Sequence, residues 1–243
     1  DHDMHKKHIY LDIETAPTTD PLVREQLALE IKPPGNMSKA ETIAAWEEEK
    51  KPALVDEAMK KTALDGALGA VAVIGVAFGD DEPEAFWVDD TRPHNHEPEV
   101  LRSFFQRLEQ AVAEGYRVDP IFVGHNVAGF DLRFLFQRAV ILGIKPPACI
   151  PFMAKPWDER VYDTMVQWAG VRDTIKMDKL ARALGLPGKQ GLDGSKVADY
   201  IAAGRIAEVA NYCINVDVRQ VREIHRRMTF STGDRAELMD LPF

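Results

Sequence analysis

Apolar Ile9, Leu11 and Ile13 alternate with Tyr10, Asp12 and Glu14 near the start of the chain. This is the period of a strand, whose side chains point by turns to opposite faces. Asp12 and Glu14 therefore share a face. The unbroken apolar run 70–78 reads as a strand buried on both sides, and after the turn Gly79-Asp80-Asp81 a shorter strand is expected over 84–88. Two more short strands are predicted over 121–123 and 161–163. Apolar residues three and four apart predict helices: Val100, Leu101, Phe104, Phe105 and Leu108 over 97–114, and Leu132, Leu135, Phe136, Ala139 and Val140 over 130–142. Further helices are predicted over 176–184, 194–203 and 205–230.

Between the first two long strands lies a polar, charge-rich segment. It contains Pro33-Pro34-Gly35 and then Ser38 and Glu41 at capping-box spacing, so a helix is expected to start near Ser38, with a second over 53–64 after Pro52. The segment 17–68 reads as a helical insertion. Strands first, with helices interleaved and then clustered, predict an α/β fold: a mixed central sheet flanked by helices, with the insertion after the first strand.

With 243 residues the chain is long enough for one sizeable core and short for two. One domain is expected over 4–229, followed by a tail over 230–243; Asp1-His2-Asp3 ahead of Met4 is set aside as a possible remnant foreign to the protein. No apolar run is long enough to span a bilayer, so no membrane role is expected. The two cysteines, Cys149 and Cys213, lie too far apart in sequence for a CxxC motif and make neither a zinc set nor a disulfide framework, which points to a reducing cytoplasm. The formal net charge of −9 has the wrong sign for gripping nucleic acid by bulk electrostatics. Two bound divalent cations would bring it from −9 to −5 and put positive charge where a phosphate must sit.

Three stretches carry candidate chemistry: Tyr10 to Thr15, Gly124 to Asp131 and Tyr212 to Asp217. Carboxylates held side by side repel unless one is protonated or a cation bridges them, and Mg²⁺ takes hard oxygen ligands of this kind. Asp12 with Glu14, then Asn126 and Phe130-Asp131, then Asp217 follow one another in the order of the DEDD superfamily of 3′-5′ exonucleases, which the chain resembles. The insertion, Lys61-Thr62-Ala63-Leu64-Asp65, and Leu186-Pro187-Gly188-Lys189 through Gly194-Ser195-Lys196-Val197 look like the stand-alone bacterial and phage exonucleases related to the proofreading domain of family B DNA polymerases.

The resemblance implies a ribonuclease H-like fold and two ions, Mg²⁺ or Mn²⁺, held by Asp12, Glu14, Asp131 and Asp217. It further implies that Tyr212 orients the attacking water, and that Thr15, Asn126, Phe130 and Lys189 meet the nucleic acid. The implied reaction hydrolyses phosphodiesters from the 3′ end of single-stranded or frayed DNA and releases nucleoside 5′-monophosphates, with a replication or repair protein as a possible partner. Two alternatives stay open: a 3′-5′ exoribonuclease, since the same acids serve RNA, and a catalytically weak module that binds nucleic-acid ends.

The third motif departs from the tyrosine branch of that superfamily, in which Tyr precedes the last Asp by four residues; here Tyr212 precedes Asp217 by five. On a regular α-helix Tyr212 would lie roughly 140° from Asp217 and Cys213 roughly 40°. Either a one-residue π-bulge or a helix that starts only after Tyr212 would restore the tyrosine, and the bulge is the expectation. His125 is read as a strand-end histidine bonded to backbone, and Asp163 as the cap of the helix after it. The loop at Gly188-Lys189 is not a nucleotide-binding P-loop, because Ala183 stands where its first glycine would be and Gln190 follows the lysine.

Overall fold

Strand β1 (His8–Ala16) runs through the middle of a five-stranded sheet in the computed structural model, which describes residues 7–116, 118–188 and 192–231. On one side β2 (Ala70–Phe78) pairs antiparallel with β1, and β3 (Glu84–Phe86) pairs antiparallel with β2. On the other, β4 (Ile121–Gly124) runs parallel to β1 and β5 (Val161–Asp163) parallel to β4. The order β3-β2-β1-β4-β5 makes a mixed sheet with the acid-bearing strand at its centre.

Both faces of the sheet are covered. On the first, Ile9, Leu11 and Ile13 pack with Val71, Ile74 and Phe78 against Leu101, Phe104 and Leu108 of α4 (Glu97–Gly115) and Leu132, Phe134 and Leu135 of α5 (Leu132–Leu142). On the second, Tyr10, Val73 and Ala77 pack against α7 (Met177–Ala183), α8 (Val197–Ala202), α9 (Ile206–Tyr212) and α10 (Arg219–Met228), through Leu180, Ile201, Val209, Val221 and Ile224. Each large side chain so buried contributes roughly 1.5–3 kcal/mol. Tyr10, Asp12 and Glu14 are two residues apart, so the acids look toward the second layer. The short α6 (Thr164–Ala169) follows β5 directly.

The insertion forms α1 (Pro21–Glu30), α2 (Ala40–Glu49) and α3 (Lys51–Lys61), then a 3₁₀ turn over Thr62–Leu64. Helix α1 is not foreshadowed by the hydrophobic pattern, because none of its side chains is buried; Asp20 caps it and Pro21 occupies its first turn. Helix α2 starts at Ala40 without a side-chain cap, so the expected Ser38–Glu41 capping box does not form. Pro52 opens α3.

The buried stripe of α5 also differs from expectation. Phe134 and Arg138 are buried, whereas Val140 is 63% exposed. A charged residue belongs to this stripe because its partner lies on another helix: Arg138 Nε and Nη2 donate to the two oxygens of Glu97 at 2.7 and 2.9 Å. Val71 N donates to Glu97 Oε1 at 3.1 Å, and Arg138 Nη1 donates to the Gly66 carbonyl at 3.0 Å. One buried pair thus ties α4, α5, β2 and the end of the insertion together.

Candidate active site

The register of β1 on β2 sets Asp12 opposite Gly75 and Glu14 opposite Val73, then jumps so that Thr15 faces Val71. Ala72 is the extra residue of a bulge directly after the acid pair. A Cβ on Gly75 would lie 2.7 Å from Cys213 Sγ and 2.9 Å from Val218 Cγ2. The missing side chain lets the third motif settle onto the sheet beside Asp12. Sequence reading passed over Gly75; its signal is a glycine inside an otherwise packed strand, the mark of a close approach.

The third motif arrives on a π-helical turn, Cys213–Val218, inserted between α9 and α10. The expected bulge is present. Hydrogen bonding from i to i+5 stacks residues five apart much as an α-helix stacks residues four apart, so Tyr212 and Asp217 are drawn toward one side. Tyr212 packs against the second core with its hydroxyl oxygen buried, and Asp217 is buried. The side chain that meets the acid pair is Cys213, whose thiol lies 3.4 Å from Asp12 Oδ2 and 3.7 Å from the Asp12 carbonyl. Ligand atoms of Asp12, Glu14 and Cys213 all fall within 4.8 Å of one another. Burial pushes the Cys213 thiol well above its usual range, and Asp12, Glu14 and Asp217 push it further, so the sulfur keeps its proton and donates.

A second π-turn, Val127–Asp131, carries the second motif. It ends on Asp131, whose Oδ1 accepts from the backbone N–H of Ile13 at 3.0 Å, between Asp12 and Glu14 in the chain. Burial raises the Asp131 carboxyl well above the carboxylate range and the charge of Asp12 adds to this, against the Ile13 N–H, which favours the anion. A cation beside the two groups would relieve that repulsion, so the donor chemistry fits a divalent metal.

Behind this turn Asn126 adopts a left-handed backbone with φ of 57°. Its N–H donates to Asp163 Oδ1 at 2.9 Å, and the Ala128 N–H donates to Asp163 Oδ2 at 3.2 Å. Asp163 also caps α6 by accepting from Met165 N and Val166 N. Cap it is, as expected, but it braces the second motif as well. His125 Nε2 donates to the Ile175 carbonyl at 2.6 Å, the backbone role foreseen for it, while Nδ1 meets Thr164 Oγ1 at 2.9 Å. Phe130 stacks on Phe134 with ring centroids 5.5 Å apart and, with Glu14 and Thr15, lines a cleft of about 500 Å³. The Thr15 hydroxyl donates to the Ala63 carbonyl at 2.6 Å and so anchors the insertion. Lys189 and residues 232–243 of the expected tail lie outside the described residues.

The acid pair thus sits at the centre of a mixed sheet, with Asp131 bonded to the strand between the two acids and Cys213 in contact with Asp12, while Asp131 and Asp217 are each carried on a π-turn. Residues 66–237 match the family described as predicted 3′-5′ exonuclease related to the exonuclease domain of PolB, and the chain belongs to that family. The chain thus carries a PolB-like 3′-5′ exonuclease domain, of a family whose exonuclease domains depend on divalent metal. Among solved structures, the family B DNA polymerase of the hyperthermophilic archaeon Pyrobaculum calidifontis is similar over 92% of this chain and 24% of its own, at 18% identity and a TM-score of 0.56. The chain spans about a quarter of that polymerase, and the shared fold is ribonuclease H-like. The Saccharomyces cerevisiae Pan2 pseudoubiquitin hydrolase-RNA exonuclease module, in complex with AAGGA RNA, aligns over 99% of this chain and 34% of its own at 14% identity, with a TM-score of 0.37. None of the curated proteins matches the chain. No helix among the described residues is long and apolar enough to cross a membrane.

Proposed function

We propose that Asp12, Glu14, Asp131 and Asp217 hold two divalent cations, Mg²⁺ or Mn²⁺, and that the protein removes nucleotides one at a time from the 3′ end of single-stranded or frayed DNA. The observation that carries this reading is the Asp131 carboxylate bonded to Ile13 N between Asp12 and Glu14, which gathers acids of two motifs at one point of the sheet. Bound divalent cations supply water activation at neutral pH and neutralise charge that develops on the phosphodiester.

The chain's own groups provide the rest. Glu14, Thr15 and Phe130 line the cleft where the terminal nucleotide rests, with the Phe130 ring as a face for the base. Asn126, held by Asp163, fixes the second-motif turn. Tyr212, one π-turn before Asp217, orients the attacking water. Cleavage releases a nucleoside 5′-monophosphate and leaves a new 3′ hydroxyl for the next cycle.

The test is to incubate wild type and Asp12→Asn with 5′-labelled and 3′-labelled single-stranded DNA and RNA in Mg²⁺, Mn²⁺ or EDTA. A metal-dependent ladder shortening from the 3′ end, lost in Asp12→Asn, is expected on DNA. A ladder on RNA alone would replace the substrate, and folded wild type that cleaves nothing would leave only end binding.

A further inference from the structure

The insertion ends beside the candidate site. Lys60 and Lys61 close α3, and Ala63 and Leu64 of the 3₁₀ turn continue the wall of the same cleft that Glu14, Thr15 and Phe130 line. A cavity of about 500 Å³ is within the usual range for a small organic ligand. Leu64 is 69% exposed, a large apolar side chain left in water in the lining of this cleft. Its place is set by the neighbouring Ala63 carbonyl, which the Thr15 hydroxyl holds at 2.6 Å, one residue past Glu14 and at the bulge in the β1–β2 pairing. Position of the wall and position of the acids are therefore linked through a single strand.

Lys60 and Lys61 pair with Asp199 at 3.7 Å and Glu57 at 3.4 Å, and all four side chains are exposed. Exposed ion pairs of this kind are weak, so either lysine can exchange its carboxylate for a phosphate at little cost. In a chain of net charge −9 a phosphate needs local cations, and these two adjoin the cleft. An apolar face for a base beside cations for the backbone is how proteins hold single strands.

We infer that α3 and the Thr62–Leu64 turn form the second wall of the substrate groove: Leu64 packs on the base at the 3′ end opposite Phe130, and Lys60 and Lys61 take the adjoining phosphates. The insertion is then part of the substrate-binding surface, more than a brace for the sheet. This assignment rests on the exonuclease reading above, and its test separates the two. Fluorescence anisotropy of a 5′-fluorescein oligothymidylate of about ten nucleotides is measured with the full chain in EDTA, for wild type, Leu64→Ser, Leu64→Phe, Lys60→Glu/Lys61→Glu and the distant exposed control Lys39→Glu. Thermal melting confirms that each variant folds. Weakening of about fivefold or more is expected for Leu64→Ser and the double lysine variant, with binding kept by Leu64→Phe and the control. Equal affinity for all five proteins would overturn the second wall. Should wild type cleave no strand while these variants still lose binding, the wall stands and the exonuclease reading falls.

Discussion

Gly75 lies directly across the sheet from Asp12, and the space its absent side chain leaves is filled by Cys213 and Val218. Gly75→Ala would set a methyl 2.7 Å from Cys213 Sγ and lift the π-turn from the strand. We expect activity to fall by more than about tenfold, with a loss of about 1–3 kcal/mol in stability from overpacking. Nuclease rate and urea denaturation of the variant check both. Gly75→Ala at wild-type rate would show that the motif tolerates displacement.

The acids repel one another without metal. Burial and the charge of Asp12 hold the Asp131 carboxyl above the ordinary range, so the apo fold is weakened at neutral pH wherever Asp131 is ionised. Asp12→Asn is therefore expected to match or exceed wild-type apo stability while abolishing cleavage. Addition of Mn²⁺ or Mg²⁺ should raise the melting temperature of wild type and do so less for Asp12→Asn, as selective binding to the folded state requires. Calorimetry with and without EDTA measures this.

A separate pH effect comes from the far end of β1. Tyr10 OH meets His225 Nδ1 at 2.9 Å, and burial, helped by His8 and Arg226, lowers the His225 imidazole to about 4. Above pH about 6.5 the ring is neutral in both the folded and unfolded chain. Below that the unfolded chain takes up a proton that the buried ring refuses, so stability falls as pH drops from 6.5 toward 4. The loss attributable to His225 at pH 5 is about 1–2 kcal/mol. Urea midpoints at pH 7 and pH 5 should differ less in His225→Gln than in wild type.

The Arg138–Glu97 pair is buried, with side-chain exposures of 8% and 1%. Removing one partner strands the other's charge, and Glu97→Ala or Arg138→Ala should each cost about 3–5 kcal/mol. Chemical denaturation reads the effect. A cost under about 1 kcal/mol would mean water replaces the lost partner.

Much of the site was legible because its residues declare themselves locally. Alternation around Asp12 and Glu14 was enough to orient both acids, and the five-residue interval from Tyr212 to Asp217, one more than in the resembled tyrosine branch, pointed to the π-turn found there. The rest depends on contacts distant in sequence. Gly75 matters only because Cys213 comes to rest on it, and Asp163 braces Asn126 and Ala128 through bonds that no local pattern encodes. Arg138 hid the phase of α5, since a charge reads as a solvent-facing residue until Glu97 is seen beside it. Helix α1 buries nothing, so it has no apolar stripe to read.

The turn at Cys213–Val218 has a mechanical consequence for the rod formed by α9 and α10. An extra residue rotates everything beyond it by roughly 100° relative to an uninterrupted helix. The two ends of the rod are therefore indexed independently: α9 meshes with the sheet through Ile206 and Val209, and α10 through Val221 and Ile224 on a different phase. Deleting Val216 would remove the offset, and one end would have to slip out of mesh for the other to stay engaged.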